Sequence, residues 1–140
     1  MAERTFPFEI LTLQQLFLQQ EARFVVAPGQ EGVFEILPGH APFVFALRPG
    51  PLRICLPGGQ DSYIAVGTGF LVVQPDRTTV LTRSAERPVD IDVDRAQRAK
   101  ARAEERLGMR TPGIDVARAQ AALQRALARL TVGEYRTRER

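Results

Sequence analysis

Residues 43–66 have the sequence FVFALRPGPLRICLPGGQDSYIAV. Three apolar runs of strand length, 43–47, 52–56 and 62–66, alternate there with the turn segments Pro49-Gly50 and Pro57-Gly58-Gly59. β-Branched and aromatic residues favour extended backbone, whereas proline presets one turn dihedral and glycine accepts positive φ. Strands joined by such short connections pair as antiparallel neighbours. This stretch therefore predicts antiparallel β-structure.

The same pattern continues on both sides of this stretch. Further strand-length runs occupy residues 6–12, 22–27, 70–74 and 78–82, and the turn dipeptides between the runs are Pro28-Gly29, Pro38-Gly39 and Pro75-Asp76. About ten strand segments in about 80 residues leave no room for the crossover helices that parallel strands need. We expect an N-terminal, mainly antiparallel β-sandwich of about ten strands over residues 1–88.

Residues 89–140 have helical periodicity instead. The first apolar stripe, with Asp90 or Asp92 as its N-cap, comprises Val93, Ala96, Ala99, Ala103 and Leu107. Residues 108–113 contain two glycines and a proline, which end a helix. The second stripe, with Asp115 near its cap, comprises Val116, Ala119, Leu123, Leu127 and Leu130. The sequence thus predicts an α+β protein whose β-sandwich is followed by an antiparallel α-helical hairpin.

Charge is unevenly distributed along the 140 residues. The net charge of +3 divides into −1 for residues 1–89 and +4 for residues 90–140. The sequence contains neither an apolar run long enough to cross a bilayer nor a secretory signal, so any membrane association is expected to be indirect. The single cysteine, Cys55, lies in an apolar run and is expected to be a packed core side chain.

Arginines form one stripe on each predicted helix: Arg95, Arg98, Arg102 and Arg106 on the first, and Arg118, Arg125 and Arg129 on the second. An antiparallel hairpin would place both stripes on one face, where like charges repel. The stripes are compatible with a phosphate ligand, with an acidic protein surface, or with a solvated face relieved by nearby carboxylates. Nucleic acid is a weaker candidate, because no aromatic residues interleave with the arginines.

Residue types that carry enzyme chemistry are scarce. His40 is the single histidine, and we find no metal-ligand cluster, nucleophile elbow or phosphate-loop motif. We therefore expect a non-catalytic protein that requires no metal. The Ala-rich helix stripes also predict a weakly held hairpin, since an alanine methyl contributes only about 0.8 kcal/mol on burial.

Five segments, taken in order, resemble the epsilon subunit of bacterial ATP synthase. They are VVAPGQEG at 25–32, ILPGHAP at 36–42, LRPG at 47–50, GFLVVQP at 69–75 and TVLT at 79–82, with the helical hairpin following where the family has it. The resemblance implies a β-sandwich docked on the gamma subunit and on the polar loops of the membrane rotor ring. It also implies a peripheral position on the cytoplasmic side of the cell membrane.

The loop from 31 to 42 matches the ring-facing loop of that family, which implies ring contacts for Glu31, Gly32, Val33 and His40. Val33 and Glu35 depart from the acidic residue and the glycine that are frequent there. The family's helical arm either folds against the sandwich or extends along gamma into the alpha/beta catalytic head, where it blocks ATP hydrolysis.

Residues 91–96, Ile-Asp-Val-Asp-Arg-Ala, also resemble the ATP-binding motif of family members that sense ATP. By that resemblance the residues around a regulatory ATP would be Glu86, Asp92, Arg95, Arg102, Arg125 and Arg129. The arginines would hold the phosphates, and the two carboxylates would accept from adenine or order the arginines. Two alternatives remain open: a binding module for another phosphate ligand, and a rotor linker without ATP sensing.

Overall fold

The computed structural model describes residues 3–109 and 112–136. Within them ten strands precede a 3₁₀ turn at Pro88–Asp90 and two α-helices. The strands are β1 Phe6–Thr12, β2 Leu16–Ala22, β3 Phe24–Gly29, β4 Gly32–Ile36, β5 Phe43–Leu47, β6 Gly50–Cys55, β7 Asp61–Val66, β8 Gly69–Val73, β9 Thr78–Thr82 and β10 Ala85–Glu86. The helices are α1 Val93–Gly108 and α2 Val116–Gly133. The predicted fold class is confirmed.

The strands form one hydrogen-bonded path in the order β10-β7-β6-β3-β5-β8-β9-β1-β2, and β4 pairs with β3 beside that path. Neighbours are antiparallel except β1 and β9, which run parallel from Phe8↔Thr78 to Thr12↔Thr82. The sheet is thus mainly antiparallel, as expected, with one parallel pair that was not predicted. That pair needs no crossover helix, because β2 to β8 themselves make up the connection.

The path folds over itself around one apolar core. Fully buried side chains come from strands at both ends and the middle of the path, among them Ile10 in β1, Leu52 in β6, Ile64 in β7 and Leu71 in β8. Cys55 is 3% exposed and belongs to the buried set, as predicted. At about 25 cal/mol per Å² of apolar surface, burial of this kind is the main source of sandwich stability.

Three sequence expectations need correction. Pro28-Gly29 does not form a turn but ends β3, and the β3–β4 connection lies at Gln30 and Glu31. Within the predicted loop at 31–42, Gly32–Ile36 form strand β4. Strand β2 was not predicted at all, because it is an edge strand whose polar side chains face outward and hide the apolar alternation.

The hairpin confirms its predicted caps. Asp92 Oδ1 accepts a hydrogen bond of 3.0 Å from the Arg95 amide, and Asp115 Oδ1 accepts one of 3.0 Å from the Arg118 amide. Each satisfies a backbone donor that the first helical turn leaves free. The break between the helices also lies where the glycines and proline predicted it.

Helix α2 buries two sides, where the sequence analysis predicted one stripe. Ala119 and Ala126 are buried about two turns apart, as expected for a seam with α1, whereas Ala128 and Val132 are buried against the sandwich. Two predicted stripe members, Val116 and Leu127, are 53% and 41% exposed, so their assignment to the seam was wrong. The reason is that α2 lies between α1 and strands β6 and β7.

Candidate nucleotide site and docking surfaces

Glu86 and Arg129 connect the sandwich to the hairpin. Glu86 is held by the pairing of β10 with β7, opposite Ala65, and Arg129 lies on the fourth turn of α2. Arg129 Nε donates to Glu86 Oε1 at 2.6 Å, and the two side chains are 36% and 30% exposed. The bond is short and charge-assisted, so it fixes the position of Arg129 relative to the sheet.

Arg125 lies one turn before Arg129 and lines the same small crevice. The crevice lies between α2 and the end of β7 with its neighbour β10, and its volume is about 10 Å³. A single water molecule needs about that much space. A phosphate group could not enter the crevice as it stands, so any nucleotide here would lie over its rim, where Arg125 is exposed.

The carboxylate of Asp92 is engaged in capping α1, and its partner is the backbone of Arg95. The side chains of Arg95 and Arg102 are exposed on α1. Across residues 3–109 and 112–136, no hydrogen bond or ion pair joins these three residues to the crevice. The structure therefore brings together Glu86, Arg125 and Arg129, and separately Asp92 and Arg95. Convergence of all six on one ligand stays a prediction.

One end of the sandwich carries an aromatic cluster that was not predicted from the sequence. Phe34 stacks on Phe45 at a centroid distance of 4.1 Å, Phe43 lies 4.7 Å from Phe45, and His40 meets Phe45 edge-on at 5.8 Å. Phe43 is 57% exposed. The alternation of aromatic residues at the start of β5 was the available signal, since alternate residues point to the same side of a strand.

The predicted ring-facing residues lie at this same end. Glu31 and Gly32 are exposed, Val33 is 66% exposed, and His40 is half-buried with Nδ1 2.6 Å from the Ala41 carbonyl oxygen. Gly32 has φ of +138°, a conformation that L side chains rarely adopt, and an added Cβ would meet nothing there. We call the exposed residues Glu31, Val33 and Phe43 the tip surface.

A second apolar surface covers the outer side of β5, β8 and β9. Phe70 pairs with Ala46 on one side and Leu81 on the other, and Val44 lies two residues from Ala46 on β5. Val44, Phe70 and Leu81 are 55%, 51% and 43% exposed. We call these three residues the lateral surface. Contiguous exposed apolar groups on a sheet are typical of interaction sites.

Membrane-spanning helices and metal-ligand clusters are both absent from the part of the chain that the structure describes. None of the helices found there combines the length and the apolar character that crossing a bilayer requires. No group of three or more His, Cys, Asp or Glu side chains within residues 3–109 and 112–136 has a geometry that could hold a metal ion.

Two family models match the chain. The model of the ATP synthase delta/epsilon chain beta-sandwich domain matches residues 5–88, and the model of the ATP synthase delta/epsilon chain long alpha-helix domain matches residues 90–134. Together they account for both the strands and the hairpin.

Curated relatives show similarity over nearly the whole chain. The ATP synthase epsilon chain of Syntrophomonas wolfei is 46% identical over 134 residues, which are 96% of this chain and 98% of the relative. The ATP synthase epsilon chain of Desulforapulum autotrophicum is 46% identical over 136 residues, 97% of this chain and 100% of the relative.

A solved structure shows the same fold. A chain in the mitochondrial ATP synthase of Euglena gracilis, solved as OSCP/F1/c-ring, superposes with a TM-score of 0.80 at 19% identity, covering 91% of this chain and 81% of that one. A chain of the Tetrahymena thermophila central stalk and c-ring gives 0.58 at 13% identity, covering 98% and 99%.

Proposed function

Because this chain belongs to the ATP synthase delta/epsilon chain family, we propose that it is a non-catalytic central-stalk component that connects the gamma subunit to the membrane rotor ring. The observation that carries the proposal is the combination of family membership with the exposed apolar side chains of the tip surface and of the lateral surface. A rotor connector needs two docking faces. The subunit would lie at the cytoplasmic side of the membrane through its partners, without inserting into the bilayer.

The lateral surface is proposed to dock on gamma. Phe70 is central there, because it lies between β5 and β9 and has neighbours on both strands. Large aromatic side chains at the centre of an interface carry much of the binding free energy. The surrounding sheet is rigid and hydrogen-bonded on both sides, which keeps the cost of ordering this surface on binding low.

Binding to purified gamma tests this assignment. The charge introduced by Phe70→Glu would be buried without a partner, so we expect affinity to fall at least about tenfold. Val116→Glu is the matched control, because Val116 is equally exposed but lies on the hairpin, at the start of α2. Equal binding by the Phe70→Glu variant and the parent chain would show that gamma docks elsewhere.

The tip surface is proposed to face the polar loops of the rotor ring. Glu31 offers a carboxylate to cationic or hydroxyl groups, while Val33 and Phe43 offer apolar area. The aromatic stack beneath them, Phe34 on Phe45, holds the tip rigid. In this arrangement the two docking faces lie on different parts of one sandwich, so torque passes from gamma to the ring through its hydrogen-bonded strands.

The hairpin is proposed to be a mobile arm that inhibits ATP hydrolysis when it leaves the sandwich and reaches the alpha/beta catalytic head. Its alanine seam supports this role, because small side chains bury little apolar surface. The exposed arginines of α1 and α2 would then meet acidic segments of the catalytic subunits.

ATP is proposed to stabilise the docked arm. Glu86 already orders Arg129, and Arg125 lies exposed beside them. The phosphates would lie over the rim of the crevice and be held by Arg125 together with Arg95 and Arg102 of α1. The same ligand would thereby join both helices, which a closed arm requires and an extended arm does not.

Calorimetric titration of the full chain with ATP and GTP tests the sensor. Charge-assisted hydrogen bonds contribute about 1.5–3 kcal/mol, so Arg125→Ala should weaken ATP binding at least about tenfold. Arg118→Ala is the matched control, an exposed arginine on the same helix outside the crevice. Absence of heat with either nucleotide would remove ATP sensing and leave the stalk role in place. Equal heat with both nucleotides would favour a general phosphate-binding module.

A further inference from the structure

The hairpin meets the sandwich through a small apolar cluster separate from the main core. Ala65 of β7, Ile91 of the linker and Val132 of α2 are 4%, 2% and 0% exposed, and Tyr63 and Val93 pack against them half-buried. Residues from the sheet, the linker, the start of α1 and the end of α2 therefore converge at one place.

Two tyrosines cover this cluster. The rings of Tyr63 and Tyr135 lie 3.6 Å apart between centroids, with an angle of 8° between their planes. Tyr135 lies two residues after Gly133, the last residue of α2, and its amide donates to the Val132 carbonyl oxygen at 3.0 Å. This hydrogen bond reaches back three residues, as in a 3₁₀ turn, and it tightens the end of the helix. The Tyr135 ring is thereby directed back over β7.

The packing around the end of α2 is close. A Cβ added at Gly133 would lie 3.1 Å from Val93 Cγ2 and 3.8 Å from Ile91 Cγ2. The end of α2 is therefore seated against both the linker and the first turn of α1. Tyr135 is ten residues after Arg125, about 15 Å along a helix axis, and Ala65 belongs both to this cluster and to the lining of the crevice at Arg125 and Arg129.

We propose that the Tyr63–Tyr135 stack is a latch that holds the hairpin on the sandwich without nucleotide. The inference rests on the mobile arm proposed above. It adds a second contact that keeps the hairpin on the sandwich, at the end of α2 opposite the cap at Asp115. Stacked aromatic pairs shift an equilibrium by roughly two- to tenfold beyond the effect of their buried area. A hairpin with a thin alanine seam is sensitive to a shift of that size.

Thiol labelling of the full chain measures the latch directly. Ala128→Cys places a thiol on the side of α2 that faces the sandwich, where Ala128 is 4% exposed, so it reacts only when the hairpin leaves. Native Cys55 is 3% exposed in the sandwich core and reacts only when the sandwich opens. Peptide mass spectrometry separates the two rates in the same sample, without nucleotide.

Tyr135→Ala should speed labelling at position 128 by roughly two- to tenfold and leave Cys55 unchanged. Tyr135→Phe keeps the ring but loses the hydroxyl that hydrogen-bonds Tyr63, so its labelling rate should lie between that of the Ala128→Cys chain and that of Tyr135→Ala in the same chain. Tyr63→Ala should act like Tyr135→Ala, and the double variant should add little, because both single variants remove the same contact.

The latch is overturned if Tyr135→Ala leaves labelling at position 128 unchanged, or if it accelerates both thiols equally. It is also overturned if Tyr135→Phe behaves like Tyr135→Ala. ATP added to the Ala128→Cys chain, with both tyrosines kept, makes the outcomes separable. Slower labelling at 128 with ATP, combined with no effect of Tyr135→Ala, would refute the latch and support the ATP-stabilised arm.

Discussion

Gly69 shows how closely the sandwich strands approach one another. It begins β8 and is paired with both Leu47 and Thr82. A Cβ added at this position would overlap the Leu81 carbonyl oxygen and lie 2.8 Å from the Thr82 Cα, both of which are backbone atoms. Backbone in a paired strand cannot move aside as the end of a flexible side chain can.

Gly69→Ala should therefore lower the free energy of unfolding by about 1–3 kcal/mol, the usual effect of overpacking. Gly108→Ala is the matched control, because Gly108 is the last residue of α1 and has no atom within 4 Å of an added Cβ. That variant should be neutral or more stable by up to about 1 kcal/mol. Urea unfolding measures both, and equal effects of the two substitutions would refute the steric argument.

Among the helices and strands, those decided by nearby residues could be predicted from the sequence. Helix caps at Asp92 and Asp115, the break between the helices and most strand runs were predicted correctly, because residues close in sequence decide them. The parallel pairing of β1 with β9 joins residues 70 positions apart, such as Phe8 and Thr78, so no local pattern could indicate it.

Helix α2 illustrates the same limit in the candidate site. Its sequence contained one apolar stripe, and only docking on β6 and β7 explains why Ala128 and Val132 are buried as well. The Glu86–Arg129 bond spans 43 residues, and the family resemblance placed both residues around one ligand without predicting that they pair with each other. Residue types could indicate an anion-binding hairpin, whereas the identity of its partner groups required the tertiary arrangement.

For the whole molecule, the contact between the hairpin and the sandwich shifts the proton binding of Tyr63. Burial under the hairpin raises the pKa of its phenol above the ordinary value of 10.0, and the hydrogen bond and charge of Tyr135 raise it further. Asp61 on the same strand also raises the pKa, while Arg53 on β6 lowers it. The neutral phenol is thus favoured in the docked state relative to the released or unfolded chain.

The direction of the pH dependence follows from proton binding. As pH rises past about 10, the unfolded chain loses the Tyr63 proton first, so the native state binds more protons and unfolding becomes more favourable. The stabilisation is complete below the ordinary pKa and is lost as pH rises through the raised one.

Tyr63→Phe keeps a ring over the cluster but has no proton to lose. Urea unfolding between about pH 9 and 11 should therefore show a steeper loss of stability for the parent chain than for Tyr63→Phe. Parallel curves would mean that the phenol is equally solvated in both states, and the docked contact could not then exclude water as the stacked rings require.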